Sequence, residues 1–105
     1  MLNIIRRFIT KGDEQRRIDK ENFERFTVIR YELSFFGLYV SAISEDTDKL
    51  IELIHKTIDD CRFVEENKWS IARFNDTEDT KEGIDECINI RRDLETLEEK
   101  IKAEA

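Results

Sequence analysis

Residues 26–43 read FTVIRYELSFFGLYVSAI, the densest apolar stretch of a 105-residue chain in which 41% of residues are charged. Thr27, Ile29, Tyr31, Leu33 and Phe35 alternate with Val28, Arg30, Glu32 and Ser34. A period of two gives a strand with one apolar and one mostly polar face. Thr27, Val28, Ile29, Tyr31, Phe35, Phe36, Tyr39 and Val40 are β-branched or aromatic, types that favour a pleated surface. A helix reading survives beside it, because Phe23, Phe26, Leu33, Phe36, Val40 and Ile43 step by threes, fours and one seven. Composition and alternation favour strands, with Gly37 marking a turn or bulge. No Asn-Gly or Asp-Gly announces the hairpin.

Downstream, Ser44-Glu45-Asp46-Thr47-Asp48 has the hydroxyls and carboxylates that cap a helix and complement its positive end. The helix they open buries Leu50, Ile51, Ile54, Ile58 and Cys61. Residues 62–74 read as a strand, a turn at Glu66-Asn67-Lys68 and a second strand, in which Trp69, Ile71 and Arg73 alternate with Ser70, Ala72 and Phe74. A long C-terminal helix follows, its stripe Ile84, Cys87, Ile90 or Arg91, Leu94, Leu97 and Ile101 spaced as a short heptad-like seam. There is no proline to interrupt it. The order implies one α+β domain over residues 1–105: a small antiparallel sheet packed with helices, an amphipathic N-terminal helix and a long C-terminal helix.

Upstream, residues 1–12 read MLNIIRRFITKG. Arg6 and Arg7 split the apolar run, so neither a secretion signal nor a membrane span fits, and a cytoplasmic protein is expected. Leu2, Ile5, Phe8 and Ile9 form one helical stripe flanked by Arg6, Arg7 and Lys11, with Gly12 placed to end the helix. Such a helix packs on its own core, on a twin subunit, or in a membrane interface. Residues 13–25 are dense in charge and read as a solvated helix or linker. The plan of basic amphipathic N-terminus, linker and small α/β body is similar to that of the division-site regulator MinE. The resemblance covers the first stretch alone, and no motif of the body shares it.

Residues 1–34 hold 8 basic and 6 acidic side chains, and residues 35–105 hold 10 and 19. Nucleic acid, which needs clustered cations, is not an expected partner. Cys61 and Cys87 have no metal-ligand spacing and read as reduced thiols on apolar helix faces. His55, the lone histidine, has no catalytic partner at a readable spacing and reads as half packed. Gly12, Gly37 and Gly83 form no phosphate-binding loop. In NDTEDTKEGIDE the alternation of Asn75, Thr77 and Asp79 and the position of Glu86 are superficially those of a calcium loop, but Thr80 stands where the turn requires glycine. Phe35, Phe36, Tyr39, Trp69 and Phe74 could make a base-stacking platform. Their acidic surroundings favour the core instead, and an exposed Phe36 or Tyr39 would mark a protein interface.

The chemistry therefore points to a non-catalytic, acidic, protein-binding adaptor or regulator without cofactor or metal, expected as a homodimer. Its expected contact residues are Ile90, Leu94, Leu97 and Ile101 of the seam. Asp76, Glu78, Asp79 and Glu82, continued by Asp85 and Glu86, form an acidic face for a basic partner. The alternative is a peripheral membrane regulator held by Leu2, Ile5, Arg6, Arg7 and Phe8.

Overall fold

The computed structural model describes residues 2–104, and among them the fold is all helix. Five helices follow in order: α1 (Leu2–Ser34), α2 (Phe36–Ile43), α3 (Thr47–Glu66), α4 (Lys68–Phe74) and α5 (Glu78–Glu104). The expected α+β architecture with its antiparallel sheet is overturned, since no described residue is in a strand. With the sheet goes the α/β body that the plan of MinE implied.

The reason lies in the opening stretch. Strand pairing would place Ile29 and Tyr31 on one face, yet Ile29 is 3% exposed and Tyr31 67%. The buried positions of α1 are Asp19, Phe26 and Ile29, with Leu33 half-buried a turn on, the spacing of a helix face. β-branched composition lost to tertiary packing, as it commonly does. Residues 62–74 fail as strands in the same way: Trp69 is 75% exposed and Ile71 fully buried. The turn at Asn67 does exist, but it separates α3 from α4. Gly12 and Gly37 end nothing. Both lie inside helices, and no described glycine has a positive φ.

The break between α1 and α2 bends the chain by 50°. Ser34 donates its hydroxyl to the Tyr31 carbonyl there, a local bond that competes with the helical ladder. The start of α3 follows its sequence signal: the Asp46 carboxylate accepts from the Lys49 amide at 3.2 Å. At the start of α5, Thr77 accepts from the Thr80 amide at 3.2 Å.

Helices α3 and α5 form the main layer. One core cluster joins Phe26, Ile29, Cys61, Val64, Ile71, Ile84 and Cys87; a second joins Ile54, Ile58 and Leu94. The molecule measures 65 × 24 × 19 Å. Its length comes from α1, which at 33 residues runs about 50 Å.

Candidate functional site

Rotating 100° per residue, Ile5, Gly12, Asp19, Phe26 and Leu33 fall in one row along α1, and Phe8, Gln15, Asn22 and Ile29 fall beside them. This is a single helix face. From Asp19 onward it is covered, mainly by α4. Phe23 stacks at 5.3 Å on Phe74, and Asn22 donates to Ser70 at 3.0 Å. Before Gln15 it is bare. Leu2, Ile4, Ile5, Phe8 and Ile9 are 49–72% exposed. We call Leu2–Glu14 the arm.

The boundary is fixed by a buried carboxylate. Asp19, only 3% exposed, accepts from Arg73 Nε at 2.7 Å and Nη2 at 3.0 Å, from Ser70 at 2.6 Å and from Gln15 at 2.8 Å. The bonded Arg73 guanidinium, helped by Ser70 and Gln15, holds the carboxyl well below the usual range against the opposing pull of burial. This clamp welds α1 to α4. Sequence reasoning saw a solvated stretch here; the signal it missed is that Asp19 stands seven residues from both Gly12 and Phe26. At the clamp, Gly12, Gln15, Arg16, Asp19, Arg73 and Phe74 line an open notch of about 450 Å³. The notch is the step left where α4 stops and α1 continues.

The arm carries Arg6, Arg7 and Lys11 along its stripe, and its two acids, Asp13 and Glu14, stand at its C-terminal end. None of the three takes part in an ion pair among the described residues; pairing on α1 begins with Arg17, between Glu14 and Glu21. The expected helix is therefore present and does not pack on its own core.

The C-terminal seam meets a different fate. Leu94 is buried against Ile54 and Ile58, and Ile90 and Ile101 pack around that cluster. Only Leu97, at 43%, is exposed. Three of the four residues expected to pair two chains thus serve α3 of the same chain. The acidic start of α5 is a solvent face. Glu78, Glu82, Asp85 and Glu86 are exposed opposite buried Thr80, Gly83, Ile84 and Cys87. Asp79 accepts from Arg30 at 3.0 Å, and Asp76 stands 3.4 Å from Lys81.

Cys61 and Cys87 are fully buried between α3 and α5, and hydrogen bonding to Cys87 together with burial pushes the Cys61 thiol up. His55 is exposed rather than half packed, 3.4 Å from Glu98. Among the described residues no group of three or more His, Cys, Asp or Glu could hold a metal ion. The aromatics expected in the core divide: Phe36 and Phe74 are half-buried, Tyr39 is exposed, and Trp69 stands in solvent with Lys68 5.4 Å from its ring. An open groove of about 360 Å³ lies between α1, α2 and α3, floored by Ile29, Leu33, Phe36 and Leu53. Lys56 closes its rim, reaching Glu32 at 3.3 Å and Asp60 at 3.2 Å. No single described helix is long and apolar enough to cross a membrane; α1 and α2 together pass by length and composition, but as a bent pair.

The chain matches no protein-family model, no curated protein and no solved structure.

Proposed function

We propose that the chain is a non-catalytic protein-binding module whose docking element is the arm of α1, where it receives a helix of a protein partner. One observation carries this reading: five large apolar side chains stand bare on the arm, Ile5 and Phe8 among them in the rows that α4 covers a turn or two further on. A contiguous apolar face of that kind marks an interaction site. The shape of the surface selects the occupant. The arm's apolar face looks to the same side as the body, across a step about one helix, roughly 10 Å, deep. A helix fits that step. A flat bilayer meets the end of α4 at Arg73 and Phe74 before it reaches the length of the stripe, which weighs against the membrane reading despite Arg6, Arg7 and Lys11.

A photo-crosslinking amino acid in place of Phe8, in the full chain inside its own cell, tests the reading. The expected product is a discrete protein adduct that disappears when Ile5→Glu is added. Lipid adducts alone, with co-sedimentation on phosphatidylserine vesicles that Ile5→Glu abolishes, would overturn it in favour of the membrane.

A further inference from the structure

We infer that the helix filling the bare seat is the arm of a second copy of this chain, the two arms pairing antiparallel through Leu2–Glu14. The inference rests on the arm being a helix-docking site and adds the identity of the occupant.

Three features select a second copy. The first is fit. What the seat lacks is an amphipathic helix that continues the line of α4 along α1 for 13 residues, about 20 Å. The arm is itself an uncovered amphipathic helix of that length. Laid antiparallel, each arm occupies the other's step, and each Leu2 end lies toward the other copy's notch beside Gly12 and Phe74. The contact is isologous and closes on itself.

The second is area. The exposed parts of Leu2, Ile4, Ile5, Phe8 and Ile9 amount to at most on the order of 500 Å² per copy, so two copies approach the roughly 1,000 Å² at which specific interfaces begin. The third is charge. In a parallel pair Arg6, Arg7 and Lys11 would each stand beside their own counterparts. In the antiparallel pair Phe8 meets Phe8 near the two-fold axis. Arg7 then lies level with Ile9, Lys11 with Ile5 and Glu14 with Leu2, so no cation stands beside its own counterpart. The seam of α5, the alternative dimer surface, is largely taken by α3.

Sedimentation equilibrium of the full chain, across low to high micromolar concentration and without lipid, tests the pairing. The expected wild-type result is a monomer–dimer equilibrium. Phe8→Glu buries a charge on each side of the axis and should weaken it by at least about tenfold. Trp69→Glu, an equally exposed position on α4, should leave it unchanged, and circular dichroism should show full helix content in both. A wild-type monomer throughout, or a dimer that survives Phe8→Glu, overturns the inference. A monomer that still gives a protein adduct from position 8 overturns self-pairing alone. A monomer with lipid adducts only overturns the docking reading as well.

Discussion

Each end of this chain carries an amphipathic stripe, and the apolar spacing alone does not say which of the two is covered within the chain. Ile90, Leu94 and Ile101 of α5 found a cover inside the molecule, in Ile54 and Ile58 of α3. Leu2, Ile5, Phe8 and Ile9 of α1 found none. The residues beside the stripes tell them apart. On α5 both signs of charge flank the apolar row and are matched across to α3: Arg62 bonds Glu95 at 2.8 Å, and Arg91 stands 2.8 Å from Glu65. Over residues 2–12 of the arm only the cations Arg6, Arg7 and Lys11 flank the row, with no ion pair to another helix among the described residues. A stripe says that a helix face will be covered; the flanking charges say whether the cover belongs to the same chain.

The sharpest way to break the comparison uses two phenylalanines of one helix face. Phe26 is 1% exposed and Phe8 is 69% exposed. Phe26→Ala should cost about 3–5 kcal/mol of folding stability, because it removes a buried ring and leaves a cavity. Phe8→Ala should cost the monomer under about 0.5 kcal/mol. Urea unfolding at low concentration measures both, and similar costs would mean that the arm folds back on the body. Leu94→Ala and Leu97→Ala repeat the contrast on α5, at about 2–5 kcal/mol for the first and well under 1 for the second.

The sequence made much of this readable. The helix start at Asp46, the turn at Asn67, the burial of Cys61 and Cys87, and the long α5 all followed from local chemistry. The sheet did not, and the error has one source. In residues 26–35 the alternate positions are apolar, but so are positions three and four apart, and only the partner surfaces decide between them. Gly83 lets Phe26 approach α5, and that contact chooses the helical period. The clamp at Asp19 was hidden for a related reason. A lone acid in a charged run looks solvated until Ser70 and Arg73, more than fifty positions on, are brought to it.

The clamp gives the next test, because it stands where the covered and bare parts of α1 meet. Asp19→Asn keeps the shape but removes the charge that orders Arg73, Ser70 and Gln15, and should cost about 2–3 kcal/mol at neutral pH. The folded carboxyl titrates below its unfolded value near 4. Its contribution is therefore complete above that pH and is lost as the pH falls toward the folded value. The gap between wild type and Asp19→Asn, measured by urea unfolding, should narrow steadily on going from pH 6 to pH 2. A gap of unchanged size at pH 2 would show that the charge is not what holds α4 at the end of the arm.

The smallest expected effect compares two glycines inside helices. A Cβ at Gly83 would stand 2.7 Å from the Arg30 guanidinium carbon and 2.8 Å from the Phe26 ring; one at Gly12 would meet nothing within 4 Å. Arg30 can swing aside, but Phe26 is held in the core. Gly83→Ala thus sets an overpacking cost of about 1–3 kcal/mol against a gain of about 1 in helix propensity, and should be destabilising by about 1. Gly12→Ala has only the gain. It should slow amide exchange along the arm by an amount worth about 0.5–1 kcal/mol and leave the body unchanged. Because Gly12 lies in the row of Ile5, Asp19 and Phe26, its substitution probes the bare seat directly. Faster exchange in Gly12→Ala at low concentration would mean that something in the same chain already rests against that face.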